Sequence, residues 1–382
     1  MMKHLFNTVL LLFAIVPFSY SQVKSNLELI DIFNMEYVSD PQISPDGSRI
    51  IYVRNFKDVM TDKNLSNLWI VNFDGSNNRP LTIGNHNDFY PRWSNEGGKI
   101  IFKSNMADDK MKLYMMWMDT KESVPLTNTT EVPYDVAWSY DDKTLAFNLF
   151  VPKKHESIIK MPNKPEGAKW NTPPIYIDDM NYRGDGQGYL KSGNMQLFTL
   201  PIEGGTPRQL TFTNFDHNGP IWSKNNTLLY FNANFHKPEE IEPLDGEIYQ
   251  IIINDGTIKP LTKRYGPDNN PVLSPDGTKI AYLGFDDKYQ GYQITNLHIM
   301  NADGTNSELI SNDFDRDIQN VNWSNEGKGL YFQYDDKGDT KLAYITLAGK
   351  VSIITENLGG LSLGRPYNAA SYTASKSNKF AY

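Results

Sequence analysis

Residues 44–53 read SPDGSRIIYV. A tight-turn signal, Ser44-Pro45-Asp46-Gly47, runs straight into a strand signal, Arg49-Ile50-Ile51-Tyr52-Val53. Asp bonds backbone two residues on and Gly accepts positive φ; β-branched and aromatic residues suit a pleated sheet. One such unit says little, but its recurrence decides the fold. Ser274-Pro275-Asp276-Gly277 repeats it, and variants led by tryptophan stand at Trp93-Ser94, Trp138-Ser139, Trp222-Ser223 and Trp323-Ser324. Each is followed by a short strand, such as KIIFK, TLAFN, TLLYF, KIAYL or GLYFQ. A second strand follows, as in Leu68-Trp69-Ile70-Val71 and Leu297-His298-Ile299-Met300, then a turn such as Asp74-Gly75 or Asp303-Gly304. The unit closes on Leu81-Thr82, Leu126-Thr127, Leu210-Thr211 or Leu261-Thr262, with weaker forms at Ile310-Ser311 and Ile354-Thr355.

Strand, turn, strand, turn, strand at this spacing is an antiparallel meander. One such sheet cannot bury both faces, whereas a ring of them can, so the expected fold is an all-β, β-propeller with four strands per blade. The anchor serines fall at 44, 94, 139, 223, 274 and 324, in steps of 50, 45, 84, 51 and 50. The long step places a Pro- and Gly-rich insertion of blade three at about residues 151–191. Continuing the count puts a seventh anchor near 374, where Ser371–Lys376 precedes Lys379-Phe380-Ala381-Tyr382. The expectation is therefore a seven-bladed, TolB-like or WD-like ring whose seventh blade is incomplete and truncated after about two strands. Its open edge would favour association into a homo-oligomer.

Ahead of the ring, residues 1–21 carry a lysine, an apolar run from Val9 to Phe18 and small residues at 19 and 21, the pattern of a cleavable signal peptide. The protein is then expected to be secreted or periplasmic, with no membrane attachment after cleavage. Residues 22–38 form a lead in which Leu27, Ile30 and Phe33 predict a short N-terminal helix packed on the propeller; residues 39–382 are the propeller itself.

Composition narrows the functions. The net charge is −8 and no basic stripe is present, which disfavours nucleic acid. There is no cysteine, so thiol chemistry and disulfides are absent. Asp313, Asp315 and Asp317 imitate a calcium loop, but Ile318 stands where its glycine belongs. His86, His217 and His298 lack metal-ligand spacing, so no metal and no cofactor is expected. Asp135-Val136-Ala137 and Asn320-Val321-Asn322, on inner strands, supply no carboxylate pair of the glycosidase kind. The recurrent tryptophans read as core.

The segments VSDPQISPDGSRIIYV (38–53), NYRGDGQGYLKSGNMQLFTLPIEGGTPRQLT (181–211) and LGGLSLGRPYNAAS (358–371), with the blade count, resemble the N-terminal propeller of the prolyl oligopeptidase family of serine peptidases, in its acylaminoacyl-peptidase and dipeptidyl-peptidase-like branch. The resemblance covers nearly all of the chain after residue 21. It implies a substrate-gating role over oligopeptides, with peptide substrate met through a missing C-terminal α/β-hydrolase domain that holds the Ser-Asp-His triad. Arg183 and Asp185 in the insertion, and Glu239, Glu240 and Glu242 between blades four and five, are the substrate-facing candidates, the glutamates for a peptide amine. No catalytic residue is assigned. Gly360-Leu361-Ser362-Leu363-Gly364 matches the nucleophile elbow G-x-S-x-G, but Pro366 follows and no helix pattern does. The 20 residues after Ser362 contain neither Asp nor His, and all six histidines lie upstream, so Ser362 reads as an inter-blade connection and the chain alone as inactive. The alternative is a stand-alone TolB-like periplasmic protein-binding propeller.

Overall fold

Ser44 shows how the repeat builds its turn. Its hydroxyl donates to Asp46 Oδ1 and accepts the N–H of Arg49 at 3.0 Å, while Gly47 N–H closes the turn on the Ser44 carbonyl at 2.8 Å. The same acceptor role falls to Ser94, Ser139, Ser223 and Ser274, whose hydroxyls take the N–H of the first residue of the next strand. The closing Leu-Thr pair is equally physical. Leu126 N–H donates to the Leu113 carbonyl and the Thr127 hydroxyl accepts the Leu113 N–H, so one residue of the third strand is satisfied on both sides. Leu210-Thr211 does this for Leu197, Leu261-Thr262 for Ile248 and Ile310-Ser311 for Leu297.

These turns connect antiparallel sheets in a computed structural model that describes residues 26–153, 162–171, 174–236, 240–359 and 370–382. There are six four-stranded sheets among the described residues, each a meander of successive strands except that in blade three a small separate hairpin intervenes between the second and third strands. Their first strands are Tyr37–Ile43, Asp88–Trp93, Tyr134–Trp138, His217–Trp222, Asp268–Leu273 and Gln319–Trp323. First strands of successive blades approach one another, whereas fourth strands such as Arg79–Pro80 and Glu308–Leu309 are exposed. The first strands therefore surround the axis. Each is interrupted by a bulge with one residue in the left-handed region: Asp40, Tyr90, Asp135, Gly219, Asn270 and Asn320. At the axis Arg92 of blade two reaches back to Asp40 of blade one, 2.8 Å to Oδ2.

The core is a ring of sandwiches between successive sheets. Ile51, Val53, Leu68 and Ile70 of blade one meet Ile100, Phe102, Tyr114 and Met116 of blade two. Equivalent clusters join blades two to three, three to four, four to five and five to six. Phe102, Phe147, Phe231 and Phe332 occupy the same repeat position, eight residues after the anchor serine, and all are fully buried. Burying such a ring contributes roughly 1.5–3 kcal/mol each.

Three expectations change. The ring shows six four-stranded blades, not seven. The seventh repeat, Thr373–Ala374 with Phe380–Ala381, is a two-stranded hairpin. It packs on blade six through Tyr372 and on blade one through Thr373, whose hydroxyl accepts the Ile43 N–H at 3.0 Å. Among the described residues the N-terminal lead forms a 3-10 segment, Leu29–Asn34, with none of its residues buried. The tryptophans are seam elements more than core: Trp222 is buried, but Trp93, Trp138 and Trp323 are only partly so. The signal-like residues 1–21 and Ser362 lie outside the described residues, as does Glu239.

The meander sorts its connections by face. Every S-P-D-G-type turn, and every Asp-Gly turn between a third and a fourth strand, lies at one end of the ring. The connections between second and third strands, and from each fourth strand to the next blade, lie at the other. That second end carries the blade-three insertion and the loops at 234–246 and 285–295.

Candidate functional site

Tight turns leave the first face little chemistry, so the loop face is the candidate site. The blade-three insertion leaves the strand Thr144–Pro152 and returns at Gly193–Pro201, with a small hairpin, Arg183–Gly184 and Gly188–Tyr189, near its end. One of its contacts reaches the neighbouring blade four. Met180 N–H donates to Glu240 Oε1 at 3.1 Å, so the insertion meets the 234–246 loop. Arg183 and Asp185 are exposed on the hairpin, and no described hydrogen bond or ion pair of their side chains joins them to that loop. Glu240 is exposed. Glu242 is half-buried, and its carboxylate accepts from two phenols, Tyr265 (2.5 Å to Oε2) and Tyr289 (3.1 Å to Oε1). The bonds to Glu242, then to Tyr289, raise the Tyr265 phenol far above its usual range. Of the sequence candidates, the structure brings Glu240 to the insertion and Glu242 to a tyrosine pair, and leaves Arg183 and Asp185 apart.

Beside Glu242 lies a second group that sequence reasoning missed. Strand alternation puts Asp245 and Glu247 on one side of the chain entering Glu247–Ile252. Glu247 and Asp268 are both buried, 2% and 1% exposed, and lie side by side. The Thr262 hydroxyl, which accepts the Ile248 N–H, donates to Glu247 Oε2. Arg264 pairs with Asp268 Oδ1 and sets its other amino group 2.8 Å from His298 Nε2. Room for this packing comes from Gly284, opposite Asp268 in the ladder: a Cβ there would stand 2.6 Å from Asp268 Oδ1 and would also strike Arg264 and the Pro267 carbonyl. Burial pushes Glu247 up to about 8, with the Thr262 bond opposing and the charges of Asp268 and Asp245 adding. Burial likewise raises Asp268 to about 6 against the pull of Arg264. Burial and then Arg264 lower His298 to about 4, so its imidazole is neutral and accepts from the guanidinium. Asp245-Gly246-Glu247 after a histidine was the available sequence signal; it passed unseen because His236 sits across a loop.

Nearer the axis, Lys103 is buried under the rings of Tyr90 and Tyr134, 4.6 and 4.4 Å from their centroids. Burial lowers its ammonium to about 8 although Asp135 counteracts.

No protein-family model matches the chain. Sequence relatives do. The uncharacterized peptidase YuxL of Bacillus subtilis is 29% identical over 213 residues, covering 55% of this chain and 31% of that protein. Dipeptidyl-peptidase 5 of Porphyromonas gingivalis is 25% identical over 335 residues, covering 84% of this chain and 48% of that protein. Among solved structures, the acylaminoacyl peptidase of Pyrococcus horikoshii superposes with a TM-score of 0.65 at 18% identity, over 86% of this chain and 47% of that one. The chain thus spans about half or less of the length of the relatives it matches. By fold it is a β-propeller, and the relatives that share its sequence are peptidases. The resemblance to the propeller domains of prolyl oligopeptidase-family enzymes holds in both sequence and fold.

Proposed function

We propose that this chain is the substrate-gating propeller of a secreted serine peptidase acting on oligopeptides, with the covalent chemistry in an α/β-hydrolase domain outside these 382 residues. The observation that carries the reading is the gathering of the long loops, with Glu240 and Glu242, at one end of a ring whose other end is all tight turns. A carboxylate held by two phenols keeps a fixed position and a lone pair for a cationic partner, which suits the ammonium of a peptide N-terminus. The ring itself would restrict access by size. On this reading residues 1–21 direct export, and the Thr373–Ala374 hairpin begins a seventh blade.

The test uses the full gene product and chromogenic peptides with free or acylated N-termini. Hydrolysis of short peptides with a free amine is expected. Glu242→Gln should raise KM by about tenfold, roughly 1.4 kcal/mol of uniform binding, with kcat nearly unchanged. A gene product that cleaves no peptide, or a KM that Glu242→Gln does not move, would overturn the proposal.

A further inference from the structure

The side chains around the start of Glu247–Ile252 form a set that substrate gating does not use. His236, three residues past blade four's second strand, sets Nδ1 3.5 Å from Asp245 Oδ2 and Nε2 4.0 Å from Glu247 Oε1. One ligating atom from each of the three lies within 4.8 Å of the others. We propose that His236, Asp245 and Glu247, backed by Asp268, form a divalent-cation site of the Zn2+ or Mn2+ type.

Three observations support it independently. The first is the donor set. An imidazole nitrogen with carboxylate oxygens suits Zn2+ and Mn2+, and no thiolate is available in the chain. The second is charge. Once an ion displaces the Glu247 proton, the carboxylates of Asp245, Glu247 and Asp268 outnumber the nearby Arg264 guanidinium, an excess of negative charge that suits a divalent ion. The third is an orphaned atom. Asp268 Oδ1 is taken by Arg264, but Oδ2 is buried and has no hydrogen-bond partner among the described residues, with Glu247 the carboxyl beside it. Buried acceptors are ordinarily satisfied.

The surroundings hold the ligands in place. The Thr262 hydroxyl fixes Glu247, and Gly266 N–H reaches Asp245 Oδ1 at 3.4 Å, leaving Oδ2 toward the histidine. Such outer contacts orient ligating groups in metal sites. His236 is half exposed, which gives an ion a way in. A bound ion would join His236 to Asp245 and Glu247, closing the base of the loop that carries Glu240 and Glu242. The binding claim does not depend on what those glutamates recognise.

The chelator-treated full chain, titrated calorimetrically with ZnCl2 and with MnCl2, tests this. About one equivalent is expected to bind, with a rise in unfolding temperature that follows ligand linkage. His236→Ala and Asp245→Asn should each weaken binding by about tenfold or more, while His86→Ala, at a separate His86–Asp88 pair, leaves it unchanged. Cobalt substitution adds a visible spectrum that His236→Ala should alter. Failure of both ions to bind stoichiometrically would overturn the proposal, and so would affinity unchanged in His236→Ala. Because His236 is half exposed, its variant decides the matter even if a substitution at Glu247 prevents folding.

Discussion

Trp323 of blade six donates its indole N–H to the carbonyl of Val272 in blade five, across 3.0 Å. The same bond crosses three other seams: Trp93 to Gln42, Trp138 to Arg92 and Trp222 to Ala137. The repeated tryptophan therefore fastens four of the inner strands to the one before, while blade five has Leu273 at that position. Trp323→Phe keeps most of the ring contact and removes the bond, so a loss of about 1 kcal/mol is expected. Trp222→Ala, at the buried member, should cost about 3–5 kcal/mol. Urea unfolding followed by circular dichroism checks both; an unmoved midpoint in Trp323→Phe would remove the seam role.

Thr127 gives the closing signature a similar test. Thr127→Val keeps the shape but leaves the buried Leu113 N–H with one partner fewer, a loss of about 1–3 kcal/mol. Thr127→Ser restores the oxygen and should recover most of it. Thermal unfolding of the three proteins measures the difference, and equal loss in both variants would mean packing alone matters.

Arg264 is the counter-charge of a buried carboxylate. Arg264→Ala strands Asp268 and should destabilise by about 3–5 kcal/mol. Adding Asp268→Asn removes the stranded charge, so the double variant should be more stable than Arg264→Ala alone. A double-mutant cycle with no coupling would refute the pairing.

Glu247 sets a pH dependence. Its folded value, about 8, lies above its ordinary 4.5. Below about 4.5 the proton is bound in both states. As pH rises toward 8 the unfolded chain releases it first, so this group's contribution to stability is lost across that window. In chelated buffer, Glu247→Gln should therefore gain in unfolding temperature relative to the parent as pH goes from 5 to 8. His298 shifts the other way, its stabilisation being lost as pH falls from 6.5 toward 4, but it is common to both proteins and cancels in the difference. A constant gap between parent and variant over the window would contradict the buried, protonated Glu247.

The repeat was legible because each of its signals is local. Ser44, Asp46 and Gly47 satisfy one another within a few residues, and Phe102 and Phe147 recur at a fixed distance from an anchor serine. Glu242 was legible as a candidate, but its tyrosine partners come from segments 23 and 47 residues further on. Asp268 and Arg264 look like loop charges in sequence; only the ladder pairing of Asp268 with Gly284 reveals that they share a buried corner. Long-range juxtaposition, not residue type, separated what could be read from what could not.

The left-handed step in every inner strand has a further consequence. Asp40, Tyr90, Asp135, Gly219, Asn270 and Asn320 stand where the backbone leaves the ladder, so none of them sets the register of its blade. Tyr90 apart, whose ring packs on the sandwich between blades two and three, the lining of the axis can therefore vary in charge and size from blade to blade while the sandwiches between sheets stay unchanged. A mutational drift that would wreck a packed barrel would here only retune the hole in the middle.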